Sequence, residues 1–150
     1  MRIEQVQDVE ILRPILAYRQ AHSTAAEFGI ETSMEQGLAD LARAQELFAG
    51  AIFVCYDGPE AVGCLVVNAA PNFFGPQQIA VVKYWYAMPN TVTAGPSLMK
   101  AAFQWAKEQG CSHLLSNATE FFAVPKSDKV AHFYERIGMK LLERVYIAEV

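Results

Sequence analysis

A chain of 150 residues, 53% hydrophobic and 19% charged with nine Gly and seven Pro, suits one domain, residues 1–150, whose core closes without metals or disulfides. That composition excludes disorder and collagen-like sequence, and no run approaches the roughly 18 apolar residues of a membrane-spanning helix. Residues 1–75 carry four Lys and Arg against ten Asp and Glu, and residues 76–150 carry eight against six. An acidic chain without a dense basic stripe is a poor nucleic-acid binder, so neither nucleic acid nor membrane is an expected partner. The mildly basic second half suits a small phosphorylated ligand, unless the difference is chance.

Glu4, Asp8 and Glu10 interrupt the N-terminal stretch, so it does not read as a secretory signal. Cys55 and Cys64 lie in apolar runs and Cys111 follows Gly110. Free thiols in a reducing, cytoplasmic compartment are the expectation.

Arg2–Val6 alternates and predicts a first strand. Asp8 caps a helix over Val9–His22, in which Pro14 is awkward. Ser33 and Gln36 form a capping box ahead of a helix carrying Leu38, Leu41, Ala42, Gln45 and Phe48, closed by Gly50. Ala51–Tyr56 and Ala61–Asn68 flank Asp57-Gly58-Pro59-Glu60 as a hairpin, and Gln77–Ala87 is a third β-rich run. A helix follows over Pro96–Gln109, then a short strand over His113–Asn117. Ser127 or Asp128 caps a helix over Lys129–Ile137, and Lys140–Val150 is a last strand. The order β-α-α-β-β-β-α-β-α-β predicts a mixed α/β sheet with helices on both faces.

Familiar catalytic patterns are missing from the sequence. His22, His113 and His132 show no metal-ligand spacing, so no metal is expected, and there is no Cys-x-x-Cys, Gly-x-Ser-x-Gly or Gly-x-Gly-x-x-Gly.

The second half is more informative. KYWYAMP leads through NTVTAGPS to the helical LMKAAFQWAKEQG, then CSHLLSNA and VAHFYERIGM. This order resembles the GNAT superfamily of N-acetyltransferases, most specifically at Ala131, Phe133, Tyr134, Glu135, Gly138 and Met139. The resemblance implies a mixed, mainly antiparallel sheet splayed into a V and flanked by helices, with acetyl-CoA in the cleft and an amine as acceptor.

It also implies roles for residues. Backbone groups of Tyr86, Ala87 and Met88, at the end of the fourth strand, would bind pantetheine. Thr93, Ala94, Gly95, Pro96 and Ser97 would place helix N-terminal amides and hydroxyls at the pyrophosphate. Lys126 and Lys129 would meet the adenosine 3′-phosphate. Tyr134 would return a proton to the leaving thiolate; a Tyr beside Phe133 is otherwise core.

The sequence departs from the family pattern at several positions. Asn90, Thr93 and Gly95 stand where the loop normally has Arg or Gln, Gly, and Gly or Ala. Lys83 stands near the place of a strand Glu, and Asp128 replaces an Asn. A second reading is therefore a retired acyltransferase fold that serves as a binding or structural component of a larger assembly. The loops around 23–32 and 69–77, with Phe28, Phe73 and Phe74, suit an apolar acceptor or a dimer contact.

Overall fold

A computed structural model describes residues 1–23, 25–28, 31–47, 49–71, 75–117 and 127–142. Its five strands are β1 (Arg2–Val6), β2 (Gly50–Asp57), β3 (Glu60–Pro71), β4 (Gln78–Ala87) and β5 (His113–Leu115). The α-helices among the described residues are α1 (Arg13–Ala21), α2 (Met34–Leu47), α3 (Ala94–Glu108) and α4 (Ser127–Arg136). The strands lie in chain order, β1-β2-β3-β4-β5, antiparallel except for the parallel β4–β5 pair.

Local chemistry accounts for the helix boundaries. Asp8 accepts a hydrogen bond from the Glu10 amide at 2.9 Å, and the turn it caps, Val9–Leu12, is a 3₁₀ helix. The α-helix begins only at Arg13, which places Pro14 in the first turn, where no N–H is needed. The predicted single helix over Val9–His22 is therefore two, and proline sets the break. Ser33 Oγ accepts from the Gln36 amide at 3.2 Å and starts α2, while the Gln36 side chain donates to Asp40 Oδ1 at 2.8 Å, so the first half of the predicted capping box forms.

Alternation along the strands builds two cores. Ile52, Val54, Cys64 and Val66 pack with Leu12, Ile15 and Leu38 from the first helices. Phe53, Leu65, Val67, Ala80 and Val82 pack under α3 with Leu98, Met99, Ala102 and Trp105, and Tyr134 of α4 joins them. Cys55 and Cys64 belong to opposite cores, and all three cysteines are free. Asn68, 1% exposed, ties α2 to β3 by donating to the Ala44 carbonyl at 3.1 Å.

Two details shape the site. Gly63 lets β3, β4 and α3 meet closely: a Cβ there would lie 2.9 Å from the Tyr86 carbonyl oxygen and 3.1 Å from Leu98 Cδ1. The β4–β5 ladder is only three residue pairs long, Ile79 with His113, Ala80 with Leu114 and Val81 with Leu115. Beyond Val81, β4 runs on to Ala87 with no strand partner on this side among the described residues, as in the splay that the resemblance implies.

One expected strand is not formed where it can be seen. Lys140, Leu141 and Leu142 have no strand structure, and the rest of the predicted Lys140–Val150 strand lies outside the described residues. No described helix is long and apolar enough to cross a membrane.

Candidate active site

The register of β4 decides which residues line the splay. Val67 pairs with Val82 but Val66 pairs with Tyr84, so Lys83 is the extra residue of a β-bulge. Before the bulge, Ala80 and Val82 turn their side chains to the α3 face. After it Trp85 and Ala87 do, while Tyr84 and Tyr86 face the first helices.

Backbone groups change sides with the same step. The Met88 amide donates to the Val62 carbonyl at 2.8 Å and is spent on β3. By alternation Tyr86 turns the same way, onto its partner Cys64. Of the three residues expected to bind pantetheine, only Ala87 turns its N–H and C=O to the splayed edge. Met88, whose N–H is bonded to β3, and Tyr86 turn away from that edge, and Trp85, which the sequence did not point to, turns toward it. The extra residue at Lys83 sets this alternation.

The turn into α3 is also more committed than its sequence suggests. Asn90 holds φ +66°, a left-handed conformation that Asn tolerates, and the Thr91 amide and hydroxyl both bond the Met88 carbonyl. Thr93 is the N-cap but makes no side-chain cap, its hydroxyl donating instead to Met1 Sδ at 3.1 Å. The Ala94 amide is spent on the Thr91 carbonyl at 3.0 Å and the Ser97 amide on the Thr93 carbonyl at 3.1 Å. Pro96 has no N–H, so the Gly95 amide is the donor left in the first turn.

Gly95 is buried, and its Cα faces the sheet rather than the loop's open side. A Cβ there would lie 3.0 Å from Trp85 Cζ2. The indole of Trp85 therefore accounts for a residue without a Cβ at this position.

Tyr134 completes the arrangement. It is 7% exposed, with its ring centroid 5.5 Å from that of Trp85, which also stacks on Phe133 at 5.4 Å. The Tyr134 hydroxyl lies 2.6 Å from Ser116 Oγ and donates to the Asn117 carbonyl at 3.2 Å. Ser116 is the first residue past the last β4–β5 pair, so the phenol reaches the vertex of the splay. Burial pushes the Tyr134 proton affinity up while the Ser116 hydrogen bond pulls it down, so the phenol keeps its proton at neutral pH.

Of the remaining candidates, Lys129 is exposed on the first turn of α4 and Lys126 lies outside the described residues. So do Phe73, Phe74 and the Phe28 side chain. Lys83 is exposed at the bulge. On the opposite face of β4, the buried Arg19 guanidinium lies over the rings of Tyr84 and Tyr86, at 4.7 and 5.2 Å. Among the described residues no three His, Cys, Asp or Glu side chains are grouped to hold a metal ion.

The structure thus brings together Ala87, Gly95 and Tyr134 and adds Trp85 and Ser116. Sequence reasoning missed both additions. Lys83, a lone charge inside an apolar run, was the available signal of the bulge; nothing in the sequence marks Ser116.

Comparison with known proteins accords with this geometry. Residues 17–139 match the acetyltransferase (GNAT) family. No curated protein is similar enough in sequence to count as a match. Among solved structures, the ribosomal-protein-alanine N-acetyltransferase from Brucella melitensis biovar Abortus 2308 superposes with a TM-score of 0.71. It is 15% identical, with 100% of both chains covered. A Trypanosoma brucei acetyltransferase gives 0.69 at 16% identity, covering 99% of each chain. The AAC(6')-Iy structure, in complex with a CoA-S-monomethyl-acetylneamine bisubstrate analog, gives 0.68 at 15% identity, covering 99% of this chain and 97% of that one. At these identities the likeness shows the fold.

Proposed function

The chain belongs to the acetyltransferase (GNAT) family, and on that premise we propose that it is an acetyl-CoA-dependent N-acetyltransferase acting on a small-molecule or protein amine, with Tyr134 as its acid. The observation that carries this reading is the buried Tyr134 hydroxyl at the end of the β4–β5 ladder, beside a stretch of β4 whose outer backbone groups have no strand partner among the described residues.

That edge fits the cosubstrate. Pantetheine carries amides, and the N–H and C=O of Ala87 and Trp85 are the strand partners they lack. The Gly95 amide, at the positive end of a fifteen-residue helix, suits the pyrophosphate. Lys129, with Lys126, supplies cations toward the 3′-phosphate.

Transfer needs three things from the chain: a held thioester, a donor toward the oxygen on which charge develops, and a proton for the departing sulfur. The splayed edge provides the first two and the Tyr134 phenol the third. The neutral amine forms the new C–N bond and the C–S bond breaks. The sulfur takes the phenol proton, and the amine proton leaves through solvent to restore the phenol.

Thiol release is the direct assay. The amine panel includes an aminoglycoside and a peptide with N-terminal alanine, because proteins of the same fold are named aminoglycoside and ribosomal-protein-alanine acetyltransferases, and protein lysines as a third class. Tyr134→Phe is expected to lower kcat about 10²-fold, the lower end of a general acid's contribution, with coenzyme A affinity retained. Undiminished turnover in that variant refutes the acid role. Silence across the panel, with no thermal stabilisation by coenzyme A, favours the retired, structural reading.

A further inference from the structure

Tyr134 has one proton and two hydroxyl-distance partners. It donates to the Asn117 carbonyl at 3.2 Å, so the hydrogen in the shorter 2.6 Å contact belongs to Ser116, which donates to the phenol oxygen. A side chain that donates to that oxygen does two things. It fixes where the phenol sits, and it is already in place to hold the negative charge left when the phenol gives its proton away.

The placement of Ser116 supports this. It follows β5 directly, one residue past the last pair with β4, and is half-buried beside a 7% exposed phenol. The ionisable side chains described on the packed elements are exposed: Lys83 on β4, Lys100, Lys107 and Glu108 on α3, His113 on β5, and Lys129, His132, Glu135 and Arg136 on α4, where His132 Nδ1 lies 3.4 Å from Glu135 Oε2. Burial and the Ser116 hydroxyl are what act on the Tyr134 proton.

We propose that Ser116 is the positioning residue of the Tyr134 hydroxyl, fixing its oxygen and stabilising the phenolate that remains after transfer. This rests on the acid reading of Tyr134. For transfer the phenol O–H turns from the Asn117 carbonyl to the departing sulfur, while the Ser116 O–H stays on Ser116 and remains on the phenolate oxygen. The amine proton, released through solvent, then restores the phenol.

The test uses the full chain with Ser116→Ala, Ser116→Thr, Tyr134→Phe and the Ser116→Ala/Tyr134→Phe pair. Removing a donor to a charged oxygen is expected to lower kcat about tenfold with the acetyl-CoA KM unchanged. The alkaline limb of the kcat profile moves up by about one pH unit, because the phenol loses the donor that favoured its ionised form. Ser116→Thr restores both, and Ser116→Ala costs nothing further once Tyr134 is Phe. Independently of turnover, the phenolate absorbance of Tyr134, isolated by subtracting the Tyr134→Phe titration, shifts its midpoint upward in Ser116→Ala.

Full activity in Tyr134→Phe removes the acid reading and the proposal with it. Loss of activity there, with an unchanged kcat and titration midpoint in Ser116→Ala, overturns the proposal alone.

Discussion

Gly95→Ala sets two effects of similar size against each other at the start of α3. Helix propensity favours alanine by up to about 1 kcal/mol, less in a first turn. Packing opposes it. The new methyl would lie 3.0 Å from Trp85 Cζ2 and 3.7 Å from Cε2. The indole cannot simply slide away, because Phe133 stacks on it at 5.4 Å and the Tyr134 ring stands 5.5 Å off. Overpacking of this kind costs about 1–3 kcal/mol, so the net expectation is destabilisation by about 1 kcal/mol. Trp85→Phe removes the ring that carries Cζ2, and in that background Gly95→Ala should be neutral or stabilising. Urea unfolding of the four proteins of the cycle, at matched m-values, reads the coupling directly. A stabilised Gly95→Ala with Trp85 intact, or two substitutions that add within about 0.5 kcal/mol, would refute the claim that the indole dictates glycine here.

Two further expectations concern ligand charge and alkaline pH. If Lys129 and Lys126 meet the 3′-phosphate, coenzyme A binds about tenfold more tightly than its 3′-dephospho form, and Lys126→Gln/Lys129→Gln erases that difference in calorimetry; equal affinities for unmodified protein sink the assignment. Burial pushes the Cys64 thiol from its ordinary 9.0 up to about 12. Between those values the unfolded chain has lost a proton that the folded one keeps, so stability falls as pH rises, by about 1.4 kcal/mol per unit from this thiol. Subtracting the profile of Cys64→Ala isolates that slope, and identical profiles would contradict it.

Most of the fold was legible because its signals are local. Alternation placed β1 through β4, the capping box placed α2, and the motif around Phe133 and Tyr134 placed α4. Proline chemistry at Pro14 was visible as a conflict, and the structure resolves it by changing helix type. The site was legible only in part. Tyr134 could be named from its motif, whereas Tyr86, Ala87 and Met88 were named together from their place at the end of β4, and a strand's end does not show which backbone groups face which neighbour. A bulge is a property of two strands together, set by how β4 meets β3, and one strand's sequence shows it only as the misplaced charge of Lys83. The packing reason for a glycine at 95 was hidden too, because the neighbour that demands it, Trp85, is ten residues away on another element. Ser116 was invisible for the same reason: its hydroxyl matters through a tyrosine eighteen residues further on.

The brevity of the β4–β5 ladder bears on how this molecule breathes. Its three residue pairs compare with nine between β3 and β4. Local opening costs least where the fewest hydrogen bonds and apolar contacts must be given up. Amide exchange should therefore be fastest along this seam, with Leu114 and Leu115 trading their protons for solvent well before the hairpin of β2 and β3. A ligand lying along the parted edge spans that seam and resists its widening. Slowed exchange at β5 would then register occupancy of the cleft from a strand that need not touch the ligand at all.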